Sequence, residues 1–587
     1  MNKLRFVFGL FVALCMSLAQ AGTPVPVKIL SINDFHGNLQ SPGTFSGVPS
    51  GGVDYLAAYI AKTKSQNPNN TFVVSAGDLI GASPLISAFF NDEGTIETMN
   101  RLGLDFDAVG NHEFDAGRIE LLRKQNGGCH PTSANTCNGA SVGTPVPFEG
   151  AKFKFLSANV IDNASGKPLF PAYGIKTVNG LRIAFIGMTL EGTPGIVTPA
   201  GVAGLTFKDE ADTVNALVPR LKSLGVNAIV VLVHQGGFQA STAPNFINDC
   251  SGALQNPIVS PIKDVVSRLD NAVDLVISGH THTGYVCQLP NKVGRNIPVT
   301  QAGAFGRVIT DINLTLDSDT GKVTAVNALN VIINRNDATL SPFLNPQIQN
   351  IVTGYNALVS PLANQVLGTI TAAATNTANA AGEMKAGDLI ADAQLAATAP
   401  AGLGGAQFAL MNAGGVRAPG FVVPTGGTYP YNVTYSNAFT VQPFGNSLVT
   451  MTLSAQQIKD VLEQQFVGCN GQIANRIMQI SSTLNYSWSA SAPTCSKIVN
   501  ATYTPSGGAS EIIVSGGVVV DPTKTYRVTV NNFMATGGDN FTVLVGGLNQ
   551  LGGAQDIDAL VAYLVNFKSP NAPFNPAAVA SRITQIP

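Results

Sequence analysis

Five of the six histidines of this chain stand beside short polar clusters that each follow an apolar run. Asp34 and His36 are two residues apart after the first such run, and His280 and His282 have the same spacing after a later one. Alternate side chains of an extended segment point to the same side, so Asp34 and His36 are predicted to converge on one cation, and His280 and His282 to present two imidazoles on one side. Oxygen and nitrogen donors without thiolates suit Zn²⁺, Mn²⁺ or a similar divalent ion.

Three further clusters could complete such a site. Asp78 follows the second apolar run, Asn111 and His112 follow the third, and His234 follows a later one. Each of these residues alone is more often a turn former, a helix cap or a packed side chain. Their recurrence at the ends of the runs favours two metals about 3.5 to 4 Å apart, which could clamp a phosphate and turn a water into hydroxide. His130 lies outside these clusters and is interpreted as a loop residue.

Seven apolar runs between about residues 25 and 329 carry these clusters at or near their ends. They are VKILSIND, TFVVSAGD, FDAVGN, KFLSANV, RIAFIGMT, AIVVLVH and DLVISGH. Short apolar runs bounded by polar turns are typical of buried strands, and the stretches at 56–65 and 211–224 are predicted to be helices. This alternation predicts a layered α/β domain, in which ligands bind at the strand ends.

A different pattern begins near residue 345. Residues 346–367 are predicted to form an amphipathic helix that Asn345 caps and that Pro361 kinks or ends. Its apolar face is predicted to contain Ile348, Ile351, Tyr355 and Leu358. We interpret this helix as a linker, because LIADAQLAA, FALMNAGGVR, SAQQIKDVLEQQF and YRVTVNNF after it indicate further helices and strands. The predicted division is a signal segment at 1–21, a catalytic domain at 22–344, the linker at 345–367 and a C-terminal domain at 368–587.

The bulk properties restrict the class of protein. A length of 587 residues allows more than one packed core, and a net charge of −2 argues against binding a nucleic-acid polymer. Lys3 and Arg5, the apolar residues 6–18 and the small residues up to Ala21 predict a signal peptide cleaved after Ala21, and hence a periplasmic or secreted protein. No membrane span is predicted, because the apolar run is shorter than the roughly 20 residues that cross a bilayer.

Six cysteines remain after removal of the predicted signal segment. An even number in an exported chain favours disulfides, although sequence alone leaves the pairing open. Closeness in sequence suggests Cys129 with Cys137, Cys250 with Cys287, and Cys469 with Cys495. A thiolate metal site is the alternative, and no Cys-x-x-Cys pair supports it.

The polar clusters carry a family resemblance. In this order, Asp34-x-His36, Gly77-Asp78, Gly110-Asn111-His112-Glu113 and Gly279-His280-x-His282 resemble the metallophosphoesterase signature. NDFHG together with GNHEFD resembles the 5′-nucleotidase and UDP-sugar hydrolase family, and the resemblance runs from about Val27 to Leu548. It implies a four-layer αββα metallophosphoesterase domain, a C-terminal α/β substrate-binding domain, and an active site between them.

The resemblance also implies a role for each residue of the site. One metal would be held by Asp34, His36, Asp78 and His282, and the other by Asp78, Asn111, His234 and His280. Asp78 would bridge the two ions, which could be Zn²⁺, Mn²⁺ or Co²⁺, and the nucleophile would be hydroxide bound to them. His112 would stabilise the phosphate in the transition state, and Asp115 would orient the ring of His112.

The C-terminal half contains a second match. Asn-Ala-Gly-Gly-Val-Arg at 412–417 resembles the Asn-Gly-Gly-Gly-Ile-Arg loop of the family, and the segments around two phenylalanines resemble those whose aromatic rings hold a nucleobase. The resemblance implies substrate contacts from Asn412, Gly415, Arg417, Phe444, Phe533 and Asp539, with the aspartate on the ribose hydroxyls. Aromatic residues are more often part of a core, which is the alternative interpretation of both phenylalanines.

One departure from the family leaves the substrate open. Residues 378–385 contain no arginine, although the family places a second phosphate-binding arginine there.

The predicted function is hydrolysis of nucleotides to nucleoside and phosphate by an exported two-metal phosphoesterase, with a UDP-sugar or a 2′,3′-cyclic nucleotide as the alternative substrate. An exported binding or adhesion protein without turnover is the alternative from another class. Loss of a ligand would favour it, and none is lost.

Overall fold

The computed structural model describes residues 22–197, 199–238, 247–250, 260–424 and 426–587. The predicted signal segment at 1–21 lies outside the described residues. Within these ranges, every helix is too short or too polar to cross a lipid bilayer.

Two six-stranded mixed sheets form the N-terminal half of the protein. The first sheet contains, in spatial order, Val323–Ile332, Val308–Asp317, Pro24–Ile32, Thr71–Ser75, Phe106–Ala108 and Lys154–Leu156. The second contains Gly284–Pro290, Asn296–Ala302, Leu275–Ser278, Val226–Val233, Leu181–Met188 and Tyr173–Val178. All seven apolar runs that predict strands are strands of these two sheets, and the predicted helices at 56–65 and 211–224 are also present.

The two sheets pack face to face on a shared apolar core. Val27 and Ile29 of the first sheet meet Phe185 and Val230 of the second, and all four are almost completely buried. The outer faces of the sheets are covered by the helices Val53–Gln66, Glu93–Leu102, Gly117–Asn126, Glu210–Ser223 and Pro261–Arg268. The layers are therefore helix, sheet, sheet and helix, as the predicted αββα fold requires.

The C-terminal half is also α/β and contains two five-stranded sheets. One consists of Gln479–Ile480, Phe408–Met411, Thr525–Asn531, Ser447–Ser454 and Leu548–Gln555. The other consists of Val518–Val519, Glu511–Ser515, Ile498–Tyr503, Leu484–Ser489 and Ile583–Ile586. Its helices are Lys385–Thr398, Tyr435–Val441, Ala455–Gln464, Asn532–Ala535 and Asp556–Leu564.

Short elements complete both halves. The short helices are Leu85–Ala88 and Gly139–Val142. The short strands are Leu205–Phe207, Val160–Asp162, Lys167–Pro168, Val366–Ile370, Tyr431–Thr434, Ala374–Thr375, Gly420–Phe421, Thr44–Phe45 and Val48–Pro49.

The helix Pro346–Ala363 connects the two halves, and the side chain of Asn345 caps it as predicted, accepting from the backbone N–H of Gln347. The helix ends two residues beyond Pro361, and Val366–Ile370 is a strand. The predicted extension of the helix to residue 367 was therefore wrong. A proline removes one helical hydrogen bond and crowds the preceding turn, so it ends this helix sooner than the apolar pattern indicates.

The buried face of this helix packs into the core of the N-terminal half. Ile348, Ile351 and Tyr355 belong to the cluster that covers the first sheet. Leu358 was predicted on this face, but it is 40% exposed, and Val359 is buried in its place. The tyrosine ring is almost completely buried, so the helix is anchored on the N-terminal half along this face.

The three predicted disulfides are all present. Cys129 is bonded to Cys137, Cys250 to Cys287, and Cys469 to Cys495. The Cα atoms of each pair are 5.1 to 5.5 Å apart, which is the usual separation for a disulfide. Each bond closes a local segment of the chain, as closeness in sequence suggests.

A buried arginine fastens the C-terminal end of the chain. The guanidinium of Arg582 donates to both carboxylate oxygens of Asp392, at 3.1 and 2.6 Å, and to the backbone carbonyls of Asp388 and Ile480. Arg582 is 6% exposed. It therefore joins the last strand, the helix Lys385–Thr398 and a neighbouring strand through bonds shielded from water.

Arg582→Ala is expected to lower the free energy of unfolding of the C-terminal half by about 3 kcal/mol, because it leaves the part-buried carboxylate of Asp392 with only the backbone N–H of Ser482 as a partner. Trp488 is the single tryptophan of the chain and lies in this half, so its fluorescence during urea unfolding reports the relevant transition. Lys524→Ala, which breaks an exposed pair with Glu511, is the control and is expected to cost about 0 to 1 kcal/mol. Equal urea midpoints for the two variants would contradict a stabilising role of Arg582.

Candidate active site

Five strands from the two sheets end at the same place. Pro24–Ile32, Thr71–Ser75 and Phe106–Ala108 are parallel neighbours in the first sheet, and Val226–Val233 and Leu275–Ser278 are parallel neighbours in the second. Neighbouring parallel strands have their carboxyl ends at the same edge, where ligands of α/β sheets bind. The turns after these five strands carry the seven predicted metal ligands, Asp34, His36, Asp78, Asn111, His234, His280 and His282.

The backbone at the ligands is turned rather than extended. Asp34, His36 and Asp78 have φ angles of 49°, 47° and 54°, and His280 and His282 have 75° and 57°. The prediction that alternate residues of an extended segment converge was therefore wrong in its geometry. Non-glycine residues in the left-handed region cost about 1 to 3 kcal/mol each. Five of them at one point indicate that the surrounding fold imposes the conformation.

The first group of donors contains Asp34, His36 and His282. The Nε2 atoms of the two histidines are 3.1 Å apart, and Nε2 of His282 lies 3.4 Å from Oδ1 of Asp34. Oδ2 of Asp78 lies 3.7 Å from Nε2 of His36. These donor atoms face one another closely enough to share one ion.

The second group contains Asp78, His234 and His280, with the amide of Asn111. Nε2 of His234 is 3.0 Å from Oδ2 of Asp78 and 3.1 Å from Oδ1 of Asn111. Nδ1 of His280 is 3.0 Å from the same amide oxygen. His280 and His282 thus belong to different groups, and Oδ2 of Asp78 faces both groups, which is the arrangement a bridging carboxylate needs.

The charges at this point fit divalent cations. Burial lowers the pKa of His36 and of His280 to about 3, so both rings are neutral, which is the form that ligates a metal. Burial also disfavours the charged form of His234, but the carboxylate of Asp78 outweighs burial and raises the pKa of His234 to about 10. The negative field that holds a proton on His234 would also favour a metal cation.

Two residues that the sequence analysis left without a role hold the ligands in place. The carboxyl group of Glu113 accepts hydrogen bonds from the backbone N–H groups of Asp78 and Leu79, at 3.0 and 2.8 Å, and of Gly110 at 2.6 Å. The side chain of Asn33 donates to Oδ2 of Asp34 at 2.6 Å. Their positions inside the GNHEFD and NDFHG segments are the signal that could have identified them.

His112 lies between the donor groups and the C-terminal half. Its Nδ1 is 2.8 Å from Oδ2 of Asp115, as the resemblance implies, and this contact leaves Nε2 free for another partner. Burial disfavours the charged ring, but the carboxylates of Asp115 and Asp78 outweigh burial and raise the pKa of His112. The ring is therefore held in one orientation and favoured as a cation.

A cleft of about 210 Å³ opens beside His112 and is lined from both halves of the protein. The N-terminal half contributes Asn111, His112, Asp115, Ile196, Val197 and His280. The C-terminal half contributes all six predicted substrate residues, Asn412, Gly415, Arg417, Phe444, Phe533 and Asp539, together with Gly414, Asn446 and Arg476. The predicted site residues of the two halves therefore face one common space.

Phe444 lies at the end of this cleft that is next to His112. Its ring stacks on that of His112 with 5.8 Å between centroids and 14° between planes, and the guanidinium carbon of Arg417 is 5.6 Å from its centroid. Burial lowers the pKa of Arg417. Phe533 also lines the cleft, with its ring next to Gly538, the residue before Asp539.

Three residues of the cleft are not predicted from the sequence. Ile196 and Val197 contribute apolar surface, and Arg476 is paired with Asp539. None of them lies in a motif or polar cluster, so their position follows from how the two halves meet. His130, interpreted as a loop residue, accepts hydrogen bonds from the backbone N–H groups of its own loop and does not line the cleft.

Comparisons with known proteins agree with this architecture. Residues 27–284 match the family model for calcineurin-like phosphoesterases, and residues 366–546 match that for the 5′-nucleotidase C-terminal domain. The structure of a 5′-nucleotidase precursor from Thermus thermophilus superposes with a TM-score of 0.72 and 26% identity, covering 96% of this chain and 99% of that one.

Two curated relatives are longer proteins. Endonuclease YhcR of Bacillus subtilis (strain 168) is 30% identical over 558 residues, which are 93% of this chain and 40% of that protein. The cell wall protein Lmo0130 of Listeria monocytogenes serovar 1/2a (strain ATCC BAA-679 / EGD-e) is 28% identical over 544 residues, 89% of this chain and 64% of that protein. The chain thus spans less than two thirds of the length of either relative.

Asp78→Asn is expected to remove at least one bound metal from protein loaded with Zn²⁺ or Mn²⁺, because the amide lacks the charge that both donor groups share. Elemental analysis after gel filtration measures the metal bound per chain. His130→Ala is the control and is expected to keep the wild-type metal content. Wild-type metal content in Asp78→Asn would contradict the bridging assignment.

Proposed function

The chain belongs to the 5′-nucleotidase family of calcineurin-like phosphoesterases, and from this we propose that it hydrolyses nucleoside 5′-monophosphates to nucleoside and inorganic phosphate. Enzymes of this family are metal-dependent phosphoric ester hydrolases. One observation carries the proposal: a single cleft brings together buried metal-ligating side chains, His112 stacked on Phe444, and Phe533 with Asp539.

Two divalent ions bound by the two donor groups would supply Lewis-acid charge to the phosphoryl oxygens and activate the attacking water. The donors proposed for them are imidazole nitrogens and carboxylate or amide oxygens, which suit Zn²⁺, Mn²⁺ or Co²⁺. The first ion would take Asp34, His36, Asp78 and His282, and the second Asp78, Asn111, His234 and His280.

His112 and Arg417 would act on the reacting phosphate from the chain itself. Charge builds up on the phosphoryl oxygens in the transition state, and fixed donors aimed at that charge stabilise it without reorganisation. Asp115 holds the Nδ1 side of His112, so the Nε2 side would donate to the phosphate. The planar guanidinium of Arg417, in the same cleft, would donate to a second oxygen.

The nucleoside would lie in the part of the cleft that is away from the metal ligands. Phe444 and Phe533 both line it and could stack on a base, which is sequence-tolerant because every base has a π-face. Ile196 and Val197 add apolar surface from the N-terminal half. Asp539 would accept hydrogen bonds from the ribose hydroxyls. The cleft volume of about 210 Å³ suits a small molecule rather than a nucleic-acid duplex.

A phosphodiesterase is the second candidate. A relative named an endonuclease is 30% identical, and residues 378–385 contain no arginine to grip a phosphate monoester. A cyclic nucleotide or a UDP-sugar needs less charge compensation at the reacting phosphorus, because a diester has one negative charge fewer than a monoester. The test is a panel of nucleotides, cyclic nucleotides and UDP-glucose, with each metal added to chelator-treated protein. The products are identified by chromatography, because hydrolysis of a diester yields a phosphate monoester and no inorganic phosphate.

Export is a separate part of the proposal. The sequence pattern of residues 1–21 predicts a cleavable signal, the three disulfides suit an oxidising compartment, and one relative is named a cell wall protein. We propose a periplasmic or secreted location, which fractionation of the natural host would test.

His112→Ala is expected to lower kcat by about two to four orders of magnitude and to leave the metal content unchanged, because it removes transition-state stabilisation rather than a ligand. Asp115→Asn is the matched variant, and it is expected to lower kcat less, because the ring of His112 remains. Steady-state kinetics and elemental analysis of the same preparations measure both quantities. Loss of the metals in His112→Ala would make His112 a ligand instead.

Phe533→Ala is expected to weaken kcat/KM for adenosine 5′-monophosphate by about 1 to 3 kcal/mol, the usual value of stacking on one base, and to change p-nitrophenyl phosphate hydrolysis little. Phe533→Tyr keeps the ring and should retain most of the nucleotide activity. Measuring kcat/KM for both substrates with each variant shows whether the loss is specific to the nucleotide. An equal loss for both substrates would place Phe533 in the core rather than on the base.

A further inference from the structure

The ribose end of the cleft contains an ion pair with no role in the proposed function so far. Nη1 of Arg476 donates to Oδ1 of Asp539 at 2.6 Å, and Nδ2 of Asn412 donates to Oδ2 at 2.8 Å. The side chain of Arg476 is 26% exposed and lines the cleft. The arginine is therefore placed where it can reach a bound nucleotide.

Arg476 has donor capacity that the protein does not use. Its Nε is buried, and neither Nε nor Nη2 donates to any residue that the structure describes. A guanidinium offers five N–H groups in a fixed plane and matches the oxygens of a phosphate. Because Arg476 lines the cleft and its Nη2 has N–H groups to spare, it could donate to an anionic ligand bound there.

The pairing also changes the charge that a ligand meets. Asp539 without a partner would present a negative charge to the sugar and repel an anionic substituent on it. Arg476 cancels that charge at a distance of 2.6 Å. Arg417 cannot do the same, because it lies beside Phe444 and His112 at the end where the reacting phosphate would bind.

We propose that Arg476 lets the site accept nucleotides whose ribose carries a second phosphate on its 2′ or 3′ oxygen, such as nucleoside 3′,5′-bisphosphates. The inference rests on the proposed function, since it requires the ribose to lie at Asp539. Water attacks the 5′ phosphorus, the bond from phosphorus to the 5′ oxygen breaks, and that oxygen takes a proton from the water. The products are inorganic phosphate and a nucleoside that keeps its second phosphate.

The test compares kcat/KM for adenosine 3′,5′-bisphosphate and for adenosine 5′-monophosphate, with adenosine 3′-phosphate followed by chromatography as the product of the first. Arg476→Ala is expected to lower the bisphosphate-to-monophosphate ratio at least about tenfold, because it exposes the charge of Asp539 to the second phosphate. Asp539→Asn is expected to raise the ratio, and Arg476→Lys to keep most of it. Lys524→Ala, at a residue of the same half that does not line the cleft, is the control and should keep the wild-type ratio.

Two results would overturn the inference. The ratio could stay unchanged in Arg476→Ala, with or without an equal loss for both substrates, which would make Arg476 at most a support for Asp539. The wild-type protein could also hydrolyse the monophosphate and reject the bisphosphate. Failure of the proposed function looks different, because the wild-type protein would then hydrolyse p-nitrophenyl phosphate but no nucleoside 5′-monophosphate. Trp488 fluorescence during urea unfolding shows whether each variant is folded.

Discussion

Asp34 and Asp78 are two carboxylates buried side by side, and such a pair is unstable unless positive charge or hydrogen-bond donors compensate it. The backbone N–H of His112 donates to Asp78, and that of His280 donates to Asp34. Imidazole rings from four different turns face the same carboxylates. The two buried charges are therefore compensated only because five strand ends converge here and bring donors from separate turns to the same carboxylates.

The close packing at this point leaves little tolerance for other residues. A side chain at Gly110 would place its Cβ 2.2 Å from Oδ1 of Asp78, so this glycine lets the third turn approach the shared carboxylate. Glu113 joins that turn to the one before it through backbone N–H groups. The donor groups are thus part of a rigid unit, which is what a site needs if it is to hold two ions at a defined separation.

The substrate-binding part of the site depends on the interface between the N-terminal and C-terminal halves. The connecting helix is anchored on the N-terminal half through Tyr355, whose hydroxyl donates to Glu97. Across the cleft, the turn Thr193–Gly195 lies against the turn Gly538–Asn540, which contains Asp539. Phe444 from one half therefore stacks on His112 from the other, and the reacting end and the nucleoside end of the cleft share one wall.

The sequence by itself determined the donor chemistry, the seven strands and the Asn345 cap, and closeness in sequence suggested the disulfide pairs, because apolar runs, capping and loop closure act over short stretches of chain. It also indicated, through the family resemblance, which halves form the site. Only the tertiary structure decided that the ligand turns adopt positive φ, that Leu358 faces solvent, and that Arg476 pairs with Asp539. These outcomes depend on turns and sheets that lie far apart in the chain, and no local pattern records how such elements pack.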